Sequence, residues 1–306
     1  MKRPAITFWI GAAVIVAAEI LLAIDVAGRD ATATGGVLAA TARWVAINMT
    51  PLAWVGFLLF MDGLLGAGSP ARTRPRLFAV CFVTSIGVWL FFDWVNFYFI
   101  HAWDYHGLDS MSVVHDWAGR FVAFGAISPA MFMAAEFYQG LGVRRLRGPR
   151  LVIGRRARIT MVIIGLAGLV FPFVVQRPIG SLTLWVGVVL VLDPLNFRFG
   201  DAAQPTLIRD WQNGRWGRTV SLMAAGLTCG VLWEFWNYWA LARWTYDLPF
   251  LGPLEDYRLF EMPWPGFAGF PPFALECWVA FQTILLVMRK IGMPFVERPP
   301  GDDAVL

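Results

Sequence analysis

Long apolar runs alternate with short polar segments along the chain, and the runs set its architecture. An α-helix needs about twenty apolar residues to cross the hydrocarbon core of a bilayer. The pattern predicts such helices at about 5–25, 43–64, 77–99, 119–140, 159–176, 180–196, 218–240 and 264–288. The sixth is short and ends at Asp193-Pro194. The first follows Met1-Lys2-Arg3 and could be a signal peptide, with small residues around Ala31 to Thr34 as its cleavage region. It is long for a leader and contains Glu19, so the adopted reading is a retained helix. The expected fold is an all-α polytopic membrane protein of about eight helices.

The polar segments carry their basic residues unevenly. With the N-terminus inside, nineteen of the 25 Lys and Arg fall in inner segments and six in outer ones. This positive-inside bias predicts both termini on the cytoplasmic side of a plasma or inner membrane. Seven Arg lie in the stretch 141–159. A linker at 141–158, touching anionic lipid, then separates 1–140 from 159–290. The tail 291–306 ends in ERPPGDDAVL, a composition expected to be disordered.

The two halves repeat. WVG-x5-Asp occurs at 54–62 and again at 185–193. A longer skeleton follows: acid, x2, Asn, x6, Trp, x, Tyr. In the first half it is Asp93, Asn96, Trp103 and Tyr105; in the second it is Glu234, Asn237, Trp244 and Tyr246. Glu136 and Glu276 then follow at similar distances. Four helices per copy give both copies one orientation, so the halves are expected to be parallel repeats with a ligand site between them.

Composition agrees. The chain is 58% hydrophobic and 15% charged, with a mean hydropathy of +0.59, where a soluble domain carries about a quarter charged residues. The net charge of +4 needs no nucleic acid, because topology explains the basic segments. Cys81, Cys229 and Cys277 lie in apolar runs and form no paired motif. His101, His106 and His115 share the loop 101–116 with Asp104, Asp109 and Asp116. Their spacing matches no strict metal motif, and a solvated polar loop is the simpler reading. No metal or cofactor is expected.

The chemistry resides in the buried acids, because a carboxylate inside a membrane helix is costly. Asp93 and Glu234 each lie about 16 residues from the inner end of their helix, some 24 Å up at 1.5 Å per residue. Glu19 reaches a similar level, so three acids are expected around one outward-facing cavity. The plainer reading is an acid stapled to the Asn, Trp and Tyr of its own motif. Trp103, Tyr105, Trp244 and Tyr246 fit an aromatic belt at the headgroups or a wall over a site. Glu276 lies near mid-membrane behind Pro271-Pro272, whose kink suits a cavity. Asp62 and Asp193 read as interfacial or capping residues.

An acid followed by Trp-x-Tyr, then a Pro-x-Glu-Asp element, here Pro253-Leu254-Glu255-Asp256, resembles the small membrane-embedded lycopene cyclases. The resemblance touches about 87–140 and 228–285 and implies a carotenoid-type isomerase without cofactor. A protonated acid, Glu234 first and Glu255 second, would protonate a terminal double bond. Aromatic faces would steady the carbocation. The partner would be a lipid-soluble molecule (polyene, quinone or lipid) drawn from membrane lipid. A transporter using the same carboxylates, or a non-catalytic subunit bound to a partner protein, are the competing classes.

Overall fold

The structure, a computed structural model, describes residues 4–29, 35–109, 111–293 and 304–306. The charges at Lys2, Arg3 and Arg298, the region Ala31 to Thr34 and most of the tail lie outside the described residues. Eight helices among the described residues are long and apolar enough to cross a membrane. The protein is a helical multi-pass membrane protein. Wrapping the backbone into helices is what the hydrocarbon demands, since no water is there to pair free N–H and C=O groups.

The spanning helices are α1 (Ile6–Gly28), α3 (Met49–Leu65), α5 (Pro75–Val95), α6 (Val113–Gly140), α7 (Arg155–Val175), α8 (Gly180–Phe199), α10 (Gly217–Tyr238) and α11 (Phe270–Lys290). Short helices fill the joints: α2 (Val37–Ile47), α4 (Pro70–Thr73) and α9 (Leu207–Gln212). The second predicted run divides at Asn48, where the Asn48 amide donates to the Trp44 carbonyl at 2.8 Å. This side-chain bond takes up a carbonyl at the end of α2 and lets α3 start on a new axis. Asp193 accepts from the N–H groups of Leu207 and Ile208, both at 2.9 Å, and so caps α9.

Packing is arranged in antiparallel pairs: α1 on α3, α5 on α6, α7 on α8, and α10 on α11. Between hydrocarbon-solvated helices, van der Waals fit rather than water exclusion drives association, so small residues sit at the crossings. A Cβ on Gly11 would lie 2.2 Å from the Phe60 nitrogen. A Cβ on Gly226 would lie 2.3 Å from the Phe270 carbonyl oxygen, so the G-x3-G of α10 is the seat of α11. In α6 every residue from Ala123 to Ala135 is buried, and α3, α5, α10 and α11 surround it. By contrast α7 shows Ile163, Ile164, Val170 and Val174 outward, as a lipid-facing helix should.

The basic segments gather at one end of the bundle. There the 141–154 connection lies against α9 and the start of α10, with Gly148 N–H bonded to the Gly214 carbonyl at 3.1 Å. The expected disordered tail is corrected at its described end. Val305 and Leu306 are fully buried, and both N–H groups reach Glu136 Oε1, at 3.1 and 3.2 Å. Trp278 Nε1 donates to the Val305 carbonyl at 2.9 Å, and Arg218 to that of Ala304 at 3.3 Å. Tryptophan and arginine donors inside the bundle thus pair the backbone carbonyls of this short segment.

Replacing Trp278 by Phe removes the indole donor and leaves a buried carbonyl unpaired. The expected loss is about 1–3 kcal/mol of stability, read as a lower unfolding midpoint in detergent, with a similar loss on deleting 304–306.

Candidate functional site

At the opposite end of the bundle the two acid motifs come together. The helix of α5 widens into a π-turn, Asn96–Ile100, that ends on His101 in the left-handed conformation (φ 50°). From there the chain folds back as β1 (Trp103–His106). After α10 it folds back in the same way as β2 (Arg243–Tyr246). Each return is fixed by the Asn of the motif. Asn96 donates to the Trp103 carbonyl at 2.6 Å and accepts from the Ala102 and Trp103 N–H groups at 2.8 and 3.1 Å. Asn237 donates to the Trp244 carbonyl at 2.7 Å and accepts from its N–H at 2.9 Å. A carboxamide carries a donor and an acceptor side by side, so one side chain satisfies both backbone groups of one residue. That is why Asn stands seven residues before Trp in both copies.

The returns pair as one antiparallel ladder, with Trp103 opposite Tyr246 and Tyr105 opposite Trp244. Alternation along a strand turns all four rings to one side, into the bundle. They land on the acids. Asp93 Oδ1 accepts from Trp103 Nε1 at 3.1 Å and from the Tyr105 hydroxyl at 3.0 Å. Its other oxygen lies 3.7 Å from the Arg120 guanidinium, which also covers the Tyr105 ring at 4.7 Å. In the second motif the donors act in series: Trp244 Nε1 to the Tyr246 hydroxyl at 2.8 Å, and that hydroxyl to Glu234 Oε1 at 2.7 Å. Glu234 is fully buried, and its Oε2 has no hydrogen-bond partner among the described residues.

Below the ladder is a cavity of about 330 Å³. Trp89, Trp185, Trp233 and Phe273 join the four ladder rings around it. Trp89 lies against Trp103 with centroids 6.1 Å apart and against Trp233 at 5.0 Å. The segment 247–269 roofs it with Leu248, Phe250, Leu251 and Met262. Leu182 and Val186 of α8 line it while being 43% and 47% exposed on the outer surface of the bundle. α8 and the start of α11 therefore form the side of the cavity nearest the exposed apolar surface.

This changes the expected arrangement. Neither Asp93 nor Glu234 lines the cavity; the hydroxyls of Tyr105 and Tyr246 stand in front of them. Glu19 is only partly buried on α1 and lines no cavity. Glu255 is a loop brace: it accepts from the Leu248 N–H at 2.7 Å and lies 3.5 Å from Arg258. Glu276 is one turn beyond Phe273 on α11, fully buried, with both oxygens unpaired among the described residues, and it stays outside the cavity. The three His diverge: His106 meets the Thr245 hydroxyl at 2.8 Å and His115 the Asn48 amide oxygen at 2.7 Å. In the sequence the roof segment is signalled only by its Pro-Leu-Glu-Asp element; the apolar residues Leu248, Phe250, Leu251 and Met262 that meet the cavity carry no local signal. Trp185, the first residue of the repeated WVG, was the available signal for α8.

Burial, then the neighbouring carboxylate, pushes the phenols of Tyr105 and Tyr246 well above the ordinary tyrosine value. Neutral phenol thus favours the folded state fully below about pH 10, and that contribution drains away as pH rises from there through the raised values. Tyr105→Phe and Tyr246→Phe should flatten the fall of the unfolding midpoint above about pH 10, measured by thermal melts in detergent.

No family model matches the chain, and no curated protein or solved structure is similar to it.

Proposed function

We propose that this membrane protein is an enzyme that moves a proton onto and off a hydrocarbon end group held in the aromatic cavity. The observation that carries the reading is an apolar cavity whose lining includes the tyrosines of two acid–tyrosine pairs of unlike surroundings. Its walls are aromatic and aliphatic, and its few polar groups come from the ladder and Ser181. Such a site suits an apolar chain that enters from the bilayer.

In this reading Glu234, which forms no ion pair among the described residues, supplies the proton, and the Tyr246 hydroxyl passes it to a terminal double bond. The carbocation faces Trp89, Trp103 and Trp233, whose ring faces attract positive charge. Asp93, with Arg120 beside it, is the member equipped to carry a negative charge, and it recovers a proton through Tyr105. One proton enters and one leaves, so an isomerisation or ring closure balances with no redox partner. The likeness of the motifs to the small lycopene cyclases points to a polyene as substrate.

The same reading takes α1 to α6 and α7 to α11 as two copies related by an axis along the membrane normal. Matching motifs meet in one ladder, and α1–α3 packing is matched by α7–α8. Both termini are placed on the cytoplasmic side of the cell membrane, where the basic end of the bundle would lie. Glu276, buried at mid-span without a partner among the described residues, favours a second reading, proton-coupled transport through the halves.

The test supplies acyclic-ended polyenes to the purified protein in D2O. The product should gain one deuterium, and Glu234→Gln should lower its rate by about 10²–10⁴ with an unchanged unfolding midpoint. Full turnover in that variant removes Glu234 as the acid. Substrate-driven proton uptake into vesicles, without any product, selects transport.

A further inference from the structure

Six arginines stand exposed along one short stretch at the basic end of the bundle: Arg144, Arg145, Arg147, Arg150, Arg155 and Arg156. None of them forms an ion pair among the described residues. By contrast, exposed Arg72 is paired with Asp62, and half-buried Arg243 with Glu261 at 2.9 Å. Nor does the helix dipole compensate them. Arg155 and Arg156 open α7, at its positive end, and no acid stands in that turn.

The stretch that carries these charges is fixed in place. The Leu146 carbonyl accepts from the Trp216 N–H at 3.2 Å, and the Pro149 carbonyl from Trp216 Nε1 at 3.1 Å. The Leu151 N–H donates to the Trp211 carbonyl at 3.1 Å, and the Ile153 carbonyl accepts from the Gln212 amide at 3.1 Å and from Arg158 at 2.7 Å. Backbone groups are thus spent on α9 and the turn after it, while the side chains are left to the surroundings. Apolar residues are interleaved with the arginines: Leu146 and Leu151 are exposed, and Val152 is 97% exposed. The stretch runs straight into α7, whose exposed Ile159 is four residues, about 6 Å, beyond Arg155. A lipid-facing helix that begins there puts the arginines at the level of the headgroups.

We propose that residues 144–156 form a docking surface for anionic phospholipid. The arginine forks take the phosphate groups of the leaflet at that end of the bundle, and Leu151 and Val152 enter the boundary between headgroups and acyl chains. Charge complementarity calls for an anion, since fixed like charges with no internal partner repel one another until counter-charge arrives. The bare valine and leucines among the arginines select lipid over nucleic acid, because nucleic-acid phosphates would leave them in water. The surface is independent of the aromatic cavity, which lies at the other end of the bundle.

The test uses the full chain in phosphatidylcholine vesicles, with trace spin-labelled phosphatidylglycerol or phosphatidylcholine, and reads by electron paramagnetic resonance how strongly the protein retains each. Phosphatidylglycerol should be retained about threefold or more over phosphatidylcholine, a preference that shrinks as salt is raised. Replacing Arg144, Arg145, Arg147 and Arg150 together by Gln should remove most of it. Arg177→Gln, at the other end of α7, should leave it unchanged. A second measurement keeps every charge. The three cysteines are buried, so a spin label on Val152→Cys reports that position alone. In vesicles containing phosphatidylglycerol the label should be open to oxygen and shielded from a water-soluble nickel chelate. Equal retention of the two lipids by the parent, an unchanged preference in the fourfold variant, or a label fully open to the chelate overturns the docking surface. So does release of phosphatidylglycerol by added RNA, which would assign the stripe to nucleic acid.

Discussion

A carboxylate taken out of water must be given donors, and at the hairpin end of this bundle that requirement organises everything else. Asp93 and Glu234 lie in the last turns of α5 and α10, where the helix backbone has already spent its N–H groups on its own carbonyls. Donors have to be brought from elsewhere. The chain turns back on itself at Asn96 and Asn237 and lays a Trp-x-Tyr strand over each acid. Two such strands, each with an unpaired edge, satisfy one another as a ladder inside an otherwise helical protein. The rings that serve the acids then become the ceiling of the cavity. Acid, turn, ladder and ceiling thus follow from one electrostatic debt.

The motifs match in spacing and differ in wiring. In the first, indole and phenol donate side by side to Asp93; in the second, they are strung in a line that ends on Glu234. Glutamate is one methylene longer than aspartate, and the phenol of Tyr246 meets it directly while Trp244 stops at the phenol oxygen. Arg120 enters only the first arrangement. A pair of like sites that have drifted into unlike electrostatic settings can divide the labour of giving and receiving a proton.

Much of the framework was legible in the residues. Apolar run length located the eight spanning helices, with ends off by up to six residues, because length and hydropathy are what the bilayer selects on. The matched spacing of acid, Asn, Trp and Tyr was legible too, and the structure gives its reason in the Asn-bridged turn. Depth was legible only in part. Counting residues placed Glu19, Asp93 and Glu234 at one level, yet counting does not say which groups share a cavity, and Glu19 lines neither the large cavity nor the smaller one. A PLED string says nothing about which way its acid turns; here Glu255 closes its own loop. The roof at 247–269 and the contribution of α8 depend on long-range packing, which no local pattern encodes.

The seat of Ala304–Leu306 also bears on how the protein is assembled. Its hydrogen-bond partners come from α6, α10 and α11, and the three residues follow every spanning helix in the sequence. They find their full set of partners only where these three helices are packed together. The seat thus fastens α6, α10 and α11 to one another at the end of the bundle away from the ladder, by backbone groups rather than by side-chain fit alone.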